Sequence, residues 1–231
     1  NLILILTKRR INIILIMHST IEPINNESKQ TSTLINCLKC CDRILVHTID
    51  DLNRLKDYGL INNVSLFPHG ILDFSPNYKK PRLLRGWFGS RNKIRIASYG
   101  FCLPNKGFKQ LILAIDLLRK KNINIYLDIF SAIYSDDYQY VYDELIELID
   151  NLNLNKYIKI NKEYMTDDQT LETLSTYNFL VFPYQESSES SSASVRHGLA
   201  TRKPILVTPS SIFNDLDGLV EFLDGFTPDS I

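Results

Sequence analysis

The sequence predicts an α/β protein built on parallel sheets, and three observations predict it. Short apolar runs alternate with segments of helical spacing along most of the chain; the runs end on histidine, proline or glycine followed by polar residues; and between Leu72 and Asn92 the alternation dissolves. That break divides the chain into an expected first domain over 1–75, a linker over 76–92 and a second domain over 93–231.

In chain order, Leu2 to Leu6 and Ile11 to Met17 read as two strands around the basic turn Lys8-Arg9-Arg10. The second is a continuous apolar run of the kind buried on both sheet faces, and it stops at His18-Ser19-Thr20. A polar loop, Ile21 to Ser28, leads to a helix over Lys29 to Cys40 with Leu34, Ile35 and Leu38 on one face. Asp42 to Thr48 is the next strand, Asp50 to Tyr58 a short helix with Gly59 as its stop, and Asn63 to Phe67 a strand closed by Pro68-His69-Gly70. After the break the pattern restarts with a strand over Lys93 to Tyr99, a turn from Gly100 to Gly107, and a helix with Leu111, Ala114, Ile115 and Leu118 on one face. A strand (Ile123 to Phe130), a long helix (Asp136 to Leu152), a short strand (Tyr157 to Ile160) and a helix (Asp167 to Tyr177) follow. Strand Phe179 to Phe182, an apparent helix, strand Pro204 to Val207 and a final strand over Leu219 to Leu223 complete the reading.

Composition narrows the function classes. With 26 Lys+Arg against 26 Asp+Glu in 231 residues, nothing global points to nucleic acid or an anionic membrane. No apolar run approaches the roughly 20 residues of a membrane span, and the first run precedes its charges, the reverse of a signal peptide. The chain starts inside a strand-like run, as expected of a piece of a longer polypeptide. Cys37, Cys40, Cys41 and Cys102 have no second Cys/His pair at finger-like spacing, which favours reduced thiols and a cytoplasmic setting over a zinc finger. Lys79, Lys80, Arg82, Arg85 and Arg91 in the break suit either a solvated linker or contacts to a phosphate or lipid head group at a membrane surface.

The stretch from Phe179 to Phe213 is the centre of the reading. A buried strand stops at Pro183, and Glu186, Glu189, Ser190, Ser191 and Ser192 follow before a helix. In an open parallel sheet, ligands bind at the carboxyl ends of strands, where helix N-termini present unpaired N–H groups to anions. Serines there suit a phosphate, whereas a carboxylate suits sugar hydroxyls, so a sugar diphosphate fits both; the competing reading is an ordinary helix cap. Gly100 at a strand end, with Lys106 and Gly107 at a helix start, makes a phosphate turn that is neither a P-loop nor a G-x-G-x-x-G fingerprint. His18, at the end of a buried strand, is either a group for proton chemistry in a cleft or a loop hydrogen-bonding partner.

These residues resemble the group 1 (family 4) retaining glycosyltransferases, nearly throughout the chain. Ile13 to Ser19 is similar to the family's acceptor-domain strand ending in histidine, Cys41 to Thr48 to its second such strand, and Phe67 to Ile71 to the exit into the interdomain linker. Gly100 to Gly107 resembles the turn opening the donor domain, and Glu186 to Val207 the E-x7-E segment. Aligning Ala200 to Ile205 with the family's A-x-G-x-P-V places Glu189 on the first motif glutamate and His197 on the second, which in the family contacts donor ribose hydroxyls. Phe101 stands where many members carry a diphosphate-binding arginine, leaving Lys106 as the recognisable cation with Arg196 placed to compensate.

The resemblance implies two Rossmann-like lobes of the GT-B type, the N-terminal one incomplete and the C-terminal one binding the donor through a parallel sheet. It implies transfer of a hexosyl unit, with retention, from a nucleotide-diphosphate sugar to a glycan or lipid-linked acceptor in polysaccharide biosynthesis, with no cofactor and no metal required. His18 would position sugar or acceptor, Glu189 would hold sugar hydroxyls, and Lys106 would neutralise the departing diphosphate. Gly100, Ser190, Ser191, Ser192, Arg196 and His197 would complete the donor site, with Glu189 and Lys106 on opposite sides of one cavity. The competing reading is a non-catalytic sugar-nucleotide-binding or scaffolding domain of a larger protein.

Overall fold

A computed structural model describes residues 2–20, 29–74, 93–187 and 189–231. The expected linker over 76–92, with its basic residues, lies outside the described residues, as does the whole of the loop Ile21 to Ser28. The chain forms two bodies, one from residues 1–70 with 188–192 and the other from 71–187 with 193–231.

In the first body, β1 (Ile14–Met17), β2 (Arg43–Val46) and β3 (Val64–Leu66) make a parallel sheet in the order β1-β2-β3. Ile14 lies opposite Arg43, and Ile44 opposite Val64. Helices α2 (Lys29–Leu38) and α3 (Ile49–Asp57) connect the strands. Leu38, Ile44, Val46, Leu55 and Leu60 form the centre of the core, with Leu15 and Met17 packed against them. Thr48 caps α3 by accepting the Asp51 N–H at 3.2 Å, and Asp50 and Asp51 in its first turn and Arg54 and Lys56 in its last complement the helix dipole. Asn63 donates to the carbonyls of Leu38 and Cys41, both at 3.0 Å, closing the end of α2.

Two expectations for this body fail. Leu2–Lys8 is a helix, α1, not a strand. A short apolar run carries no period that separates the two states, and the basic turn decides between them. Arg10 adopts φ 55°, its N–H bonds the Thr7 carbonyl, and the Ile11 N–H reaches back to the Leu6 carbonyl. That pair of bonds is a Schellman helix stop, and Lys8 lies in the last turn, where cations favour the dipole. The run Ile11 to Met17 is also not buried on both faces: only its last four residues are strand, and Ile14 and Ile16 are 68% and 47% exposed.

In the second body, β4 (Ile94–Tyr99), β5 (Ile125–Phe130), β6 (Ile158–Asn161), β7 (Phe179–Phe182), β8 (Ile205–Val207) and β9 (Glu221–Phe222) form one parallel sheet in the order β6-β5-β4-β7-β8-β9. The crossover helices are α4 (Phe108–Lys120), α5 (Gln139–Asn151), α6 (Asp167–Leu174) and α7 (Ala193–Ala200). The helix expected from Asp136 opens instead with a 3-10 turn, Asp136–Tyr138, ahead of α5. Leu111, Ile112 and Ile115 of α4 and Leu145 and Ile149 of α5 pack with Leu127 and Ile129 in one core. Leu174, Val195, Phe182, Val207 and Phe213 belong to a second. The chain winds outward from β4 through β5 to β6, then returns to lay β7 on the other side of β4. The connections leaving β4 and β7 therefore diverge, opening the crevice where ligands of doubly wound sheets sit. Among the described residues no helix is long and apolar enough to cross a membrane.

Candidate functional site

The crevice between β4 and β7 gathers four groups. Gly100 follows β4 with φ 151°, a conformation L side chains rarely adopt; a Cβ there would lie 3.2 Å from Ser194 Oγ and 3.4 Å from the Tyr184 hydroxyl. The chain then makes the 3-10 turn Pro104–Lys106 and reaches Gly107 in the left-handed region, φ 70°. A Cβ on Gly107 would lie 1.7 Å from the Pro183 carbonyl oxygen, so this glycine is required by the approach of the turn to the end of β7. The Gln185 N–H donates to the Asn105 carbonyl at 2.9 Å and ties the two loops together. Lys106 is buried, with Nζ 4.0 Å from the centre of the Tyr184 ring, a cation–π placement that restrains the ammonium within the crevice.

Beside them Tyr99, Gly100, Phe101, Tyr164 and Ser194 line a niche of about 40 Å³. Burial holds the Tyr99 phenol above its ordinary pKa, so it remains a hydrogen-bond donor. Phe101 is 40% exposed and packs edge-on to Tyr134, with centroids 5.3 Å apart. The niche is far smaller than the roughly 300 Å³ of a small ligand pocket. Larger hollows, of about 480 Å³ between α4 and α5 and about 520 Å³ beside Asp128, Lys159 and Tyr177, are lined by none of the expected site residues.

Arg196 and His197 are directed at protein partners. Arg196, 4% exposed, forms an ion pair with Asp215. His197 directs Nδ1 at the Ala193 carbonyl, 3.1 Å away, and Nε2 at Asp167, 3.0 Å away. Asp167 opens α6, whose start is fixed by a capping box: Thr166 accepts the Gln169 N–H at 3.4 Å, and the Gln169 side chain accepts the Thr166 N–H at 3.0 Å.

In the first body, each of three adjacent parallel strands delivers a histidine at its carboxyl end: His18 after β1, His47 after β2 and His69 beyond β3. His47 Nε2 is 3.1 Å from His18 Nδ1, and its Nδ1 is 3.0 Å from the Phe67 carbonyl. The His47 and His69 rings stack at 4.3 Å between centroids. The loop after β1 is anchored below them. Thr20 donates to the buried Asp51 carboxylate at 2.5 Å, Thr48 donates to it at 2.6 Å, and Arg54 pairs with it at 3.2 Å.

Segment 188–192 groups with this body. The Ser190 N–H donates to the His18 carbonyl at 3.4 Å, and the buried Oγ atoms of Ser190 and Ser191 have no hydrogen-bond partner among the described residues. Ser192 is buried, Glu189 half-buried and Glu186 exposed. The structure thus brings Ser190 to His18 in one body and Gly100, Lys106, Tyr184 and Ser194 together in the other. Glu189 and Lys106 belong to different bodies. Sequence reasoning missed Tyr184 and Ser194, whose roles come from the strand order. It also missed His47 and His69; the available signal was a histidine shortly after each of three strands expected to be parallel.

No family model and no curated protein matches the chain. Solved structures do match its fold. HepE from Anabaena in complex with UDP aligns over 99% of this chain and 62% of that chain at 13% identity, with a TM-score of 0.77. An E. coli trehalose-6-phosphate structure bound with UDP-2-fluoro glucose aligns over 99% and 60% at 15% identity, TM-score 0.76. A glycosyltransferase from Rickettsia africae aligns over 99% and 66% at 15% identity, TM-score 0.70. The chain spans about three fifths of the length of these structures. At such identities the likeness establishes the architecture, α/β with parallel sheets of the GT-B type.

Proposed function

We propose that the chain is the greater part of a retaining glycosyltransferase of the group 1 (family 4) kind, moving a hexosyl unit from a nucleotide-diphosphate sugar to a glycan or lipid-linked acceptor. The observation that carries this reading is the meeting of Gly100, Lys106, Tyr184 and Ser194 at the topological switch of the second sheet. A glycine that brings backbone close, a buried cation held on an aromatic face and a serine in the first turn of α7 suit the diphosphate of a donor. Structures of the same architecture described as bound to UDP or to a UDP sugar support the nucleotide part of the reading.

In this proposal the anomeric C–O bond to the diphosphate breaks, an acceptor hydroxyl oxygen bonds the anomeric carbon on the same face and gives its proton to the departing diphosphate, and negative charge grows on that group as it leaves. Lys106 faces that charge in a site largely screened from water, where its attraction is strongest. The hydroxyls of Ser190 and Ser191, unpartnered among the described residues, supply donors for phosphate or sugar oxygens. Glu189 holds sugar hydroxyls and His18 orients sugar or acceptor. Arg196 keeps its pairing with Asp215 and acts by holding α7 in place. A cytoplasmic site of action at the inner face of a membrane is part of the same proposal.

A screen of nucleotide sugars by thermal shift tests it, since a ligand that binds only the native state raises the melting temperature. One nucleotide family is expected to raise it, and a flat response to all of them contradicts the reading. The second reading, a sugar-nucleotide-binding domain without turnover, is favoured by one observation: both ring nitrogens of His197, at the position of the second motif glutamate, are directed at Ala193 and Asp167. Calorimetry paired with a transfer assay on a chain containing the complete acceptor lobe separates the two, because binding without transfer selects the second.

A further inference from the structure

We propose that His18, His47 and His69 form a binding site for a divalent transition ion of the zinc class, tying together the carboxyl ends of the three strands of the first body. One nitrogen from each ring lies within 4.8 Å of the others. A tetrahedral zinc with Zn–N bonds of about 2.05 Å sets its ligand nitrogens about 3.3 Å apart. The His47 Nε2 to His18 Nδ1 separation of 3.1 Å is already near that spacing.

The chemistry of the buried member is also right. A carbonyl oxygen only accepts, so His47 must carry its proton on Nδ1 to bond the Phe67 carbonyl at 3.0 Å, and this leaves a lone pair on Nε2 facing the other two rings. A ligating histidine whose second nitrogen donates to a backbone carbonyl is the usual outer-shell arrangement of zinc sites. His47 is 4% exposed and fixed, whereas His18 is exposed and His69 half-buried. The remaining closure, about 1.5 Å at most against the ideal spacing, therefore falls on the two rings with room to turn. On binding, the ion takes the place between His18 Nδ1 and His47 Nε2, and the proton His18 holds on Nδ1 moves by exchange with water to its Nε2, so that both rings ligate as neutral imidazoles. Three imidazoles leave a fourth position for water, on the exposed side of His18. The anchoring of the β1 loop through Thr20 and Asp51 holds His18 in reach. The inference needs only the first body, and His18 is the one residue it shares with the donor-site proposal.

The test uses the full chain, stripped by chelator and titrated with zinc chloride in a calorimeter at neutral pH, with cobalt chloride as a spectroscopic probe. One equivalent of zinc is expected to bind and raise the melting temperature, and cobalt is expected to give the visible bands of a tetrahedral nitrogen-rich site. His69→Gln, on a half-buried loop residue, should fold as the parent by circular dichroism and weaken zinc at least tenfold; His18→Gln should do the same. Cys37→Ser/Cys40→Ser should bind zinc as the parent does. Absence of stoichiometric binding, unchanged affinity in both His69→Gln and His18→Gln, or a near-ultraviolet cobalt–thiolate band that vanishes in the cysteine variant would overturn the proposal.

Discussion

A Cβ placed on Gly107 would sit 1.7 Å from the carbonyl oxygen of Pro183, so the turn after β4 and the end of β7 touch backbone to backbone. The position also has φ 70°, which adds left-handed strain to the clash for any L residue. Gly107→Ala should destabilise the second body by about 2 to 4 kcal/mol, the sum of a left-handed non-glycine residue and an overpacked contact. Gly59→Ala is the internal comparison, because Gly59 has φ 82° and an added Cβ would meet no atom of the described residues within 4 Å; it should cost only about 1 kcal/mol. Urea unfolding measures both, and equal midpoint shifts would show that the contact with Pro183 is soft.

The pair between the buried Arg196 guanidinium and the part-exposed Asp215 carboxylate gives the second prediction. Removing one partner leaves the other charge uncompensated, whereas removing both does not. Asp215→Leu, which takes this partner from a buried guanidinium, should cost about 2 to 3 kcal/mol, Arg196→Met about 1 to 2 kcal/mol because the carboxylate keeps access to water, and the double variant should recover part of the loss. Additive losses in a double-mutant cycle would mean that the two side chains do not depend on each other.

Asp51 provides a third. Its carboxylate accepts from Thr20 and Thr48 and pairs with Arg54, all in the first body. Asp51→Ala removes the shared acceptor of the Thr20 and Thr48 hydroxyls while Arg54 keeps its bond to Thr20, and should cost about 2 kcal/mol. Thr20→Val should cost less, about 1 kcal/mol. Should Asp51→Ala unfold at the parent's urea midpoint, the network is not what holds the loop carrying His18.

Tyr177 provides a pH test. Burial, reinforced by its 2.6 Å hydrogen bond to Asp128, holds its phenol well above the ordinary value. The neutral phenol is thus favoured in the folded chain, so its contribution is complete below pH 10 and is lost as the unfolded chain ionises above that pH. Between pH 9 and 11 the parent should lose about 1 kcal/mol more stability than Tyr177→Phe. Parallel losses would mean that this phenol ionises equally well in both states.

What the sequence revealed follows from the range of each interaction. Strand β7 lies where Phe179 to Phe182 predicts it, because an apolar run halted by Pro183 is a local signal. The helix at Leu2–Lys8 was missed because it depends on backbone bonds made by Arg10 and Ile11 after the run ends. Lys106 and Gly107 were picked out as a phosphate turn, yet the reason Gly107 must be glycine is Pro183, 76 positions later. Arg196 looked available as a cation because Asp215, 19 residues on, shows no pairing in the linear pattern. The histidine trio is invisible for the same reason, since only the order β1-β2-β3 makes neighbours of His18, His47 and His69.

The central claim is that Lys106, held against Tyr184, receives the diphosphate of a nucleotide donor. Isothermal titration of nucleoside diphosphates into the parent and into Lys106→Met tests it most directly. A charge-assisted hydrogen bond contributes about 1.5 to 3 kcal/mol, so the variant should bind roughly 10- to 100-fold more weakly while unfolding cooperatively like the parent. Equal affinity in the two proteins, or no binding of any nucleoside diphosphate by the parent, would contradict the account.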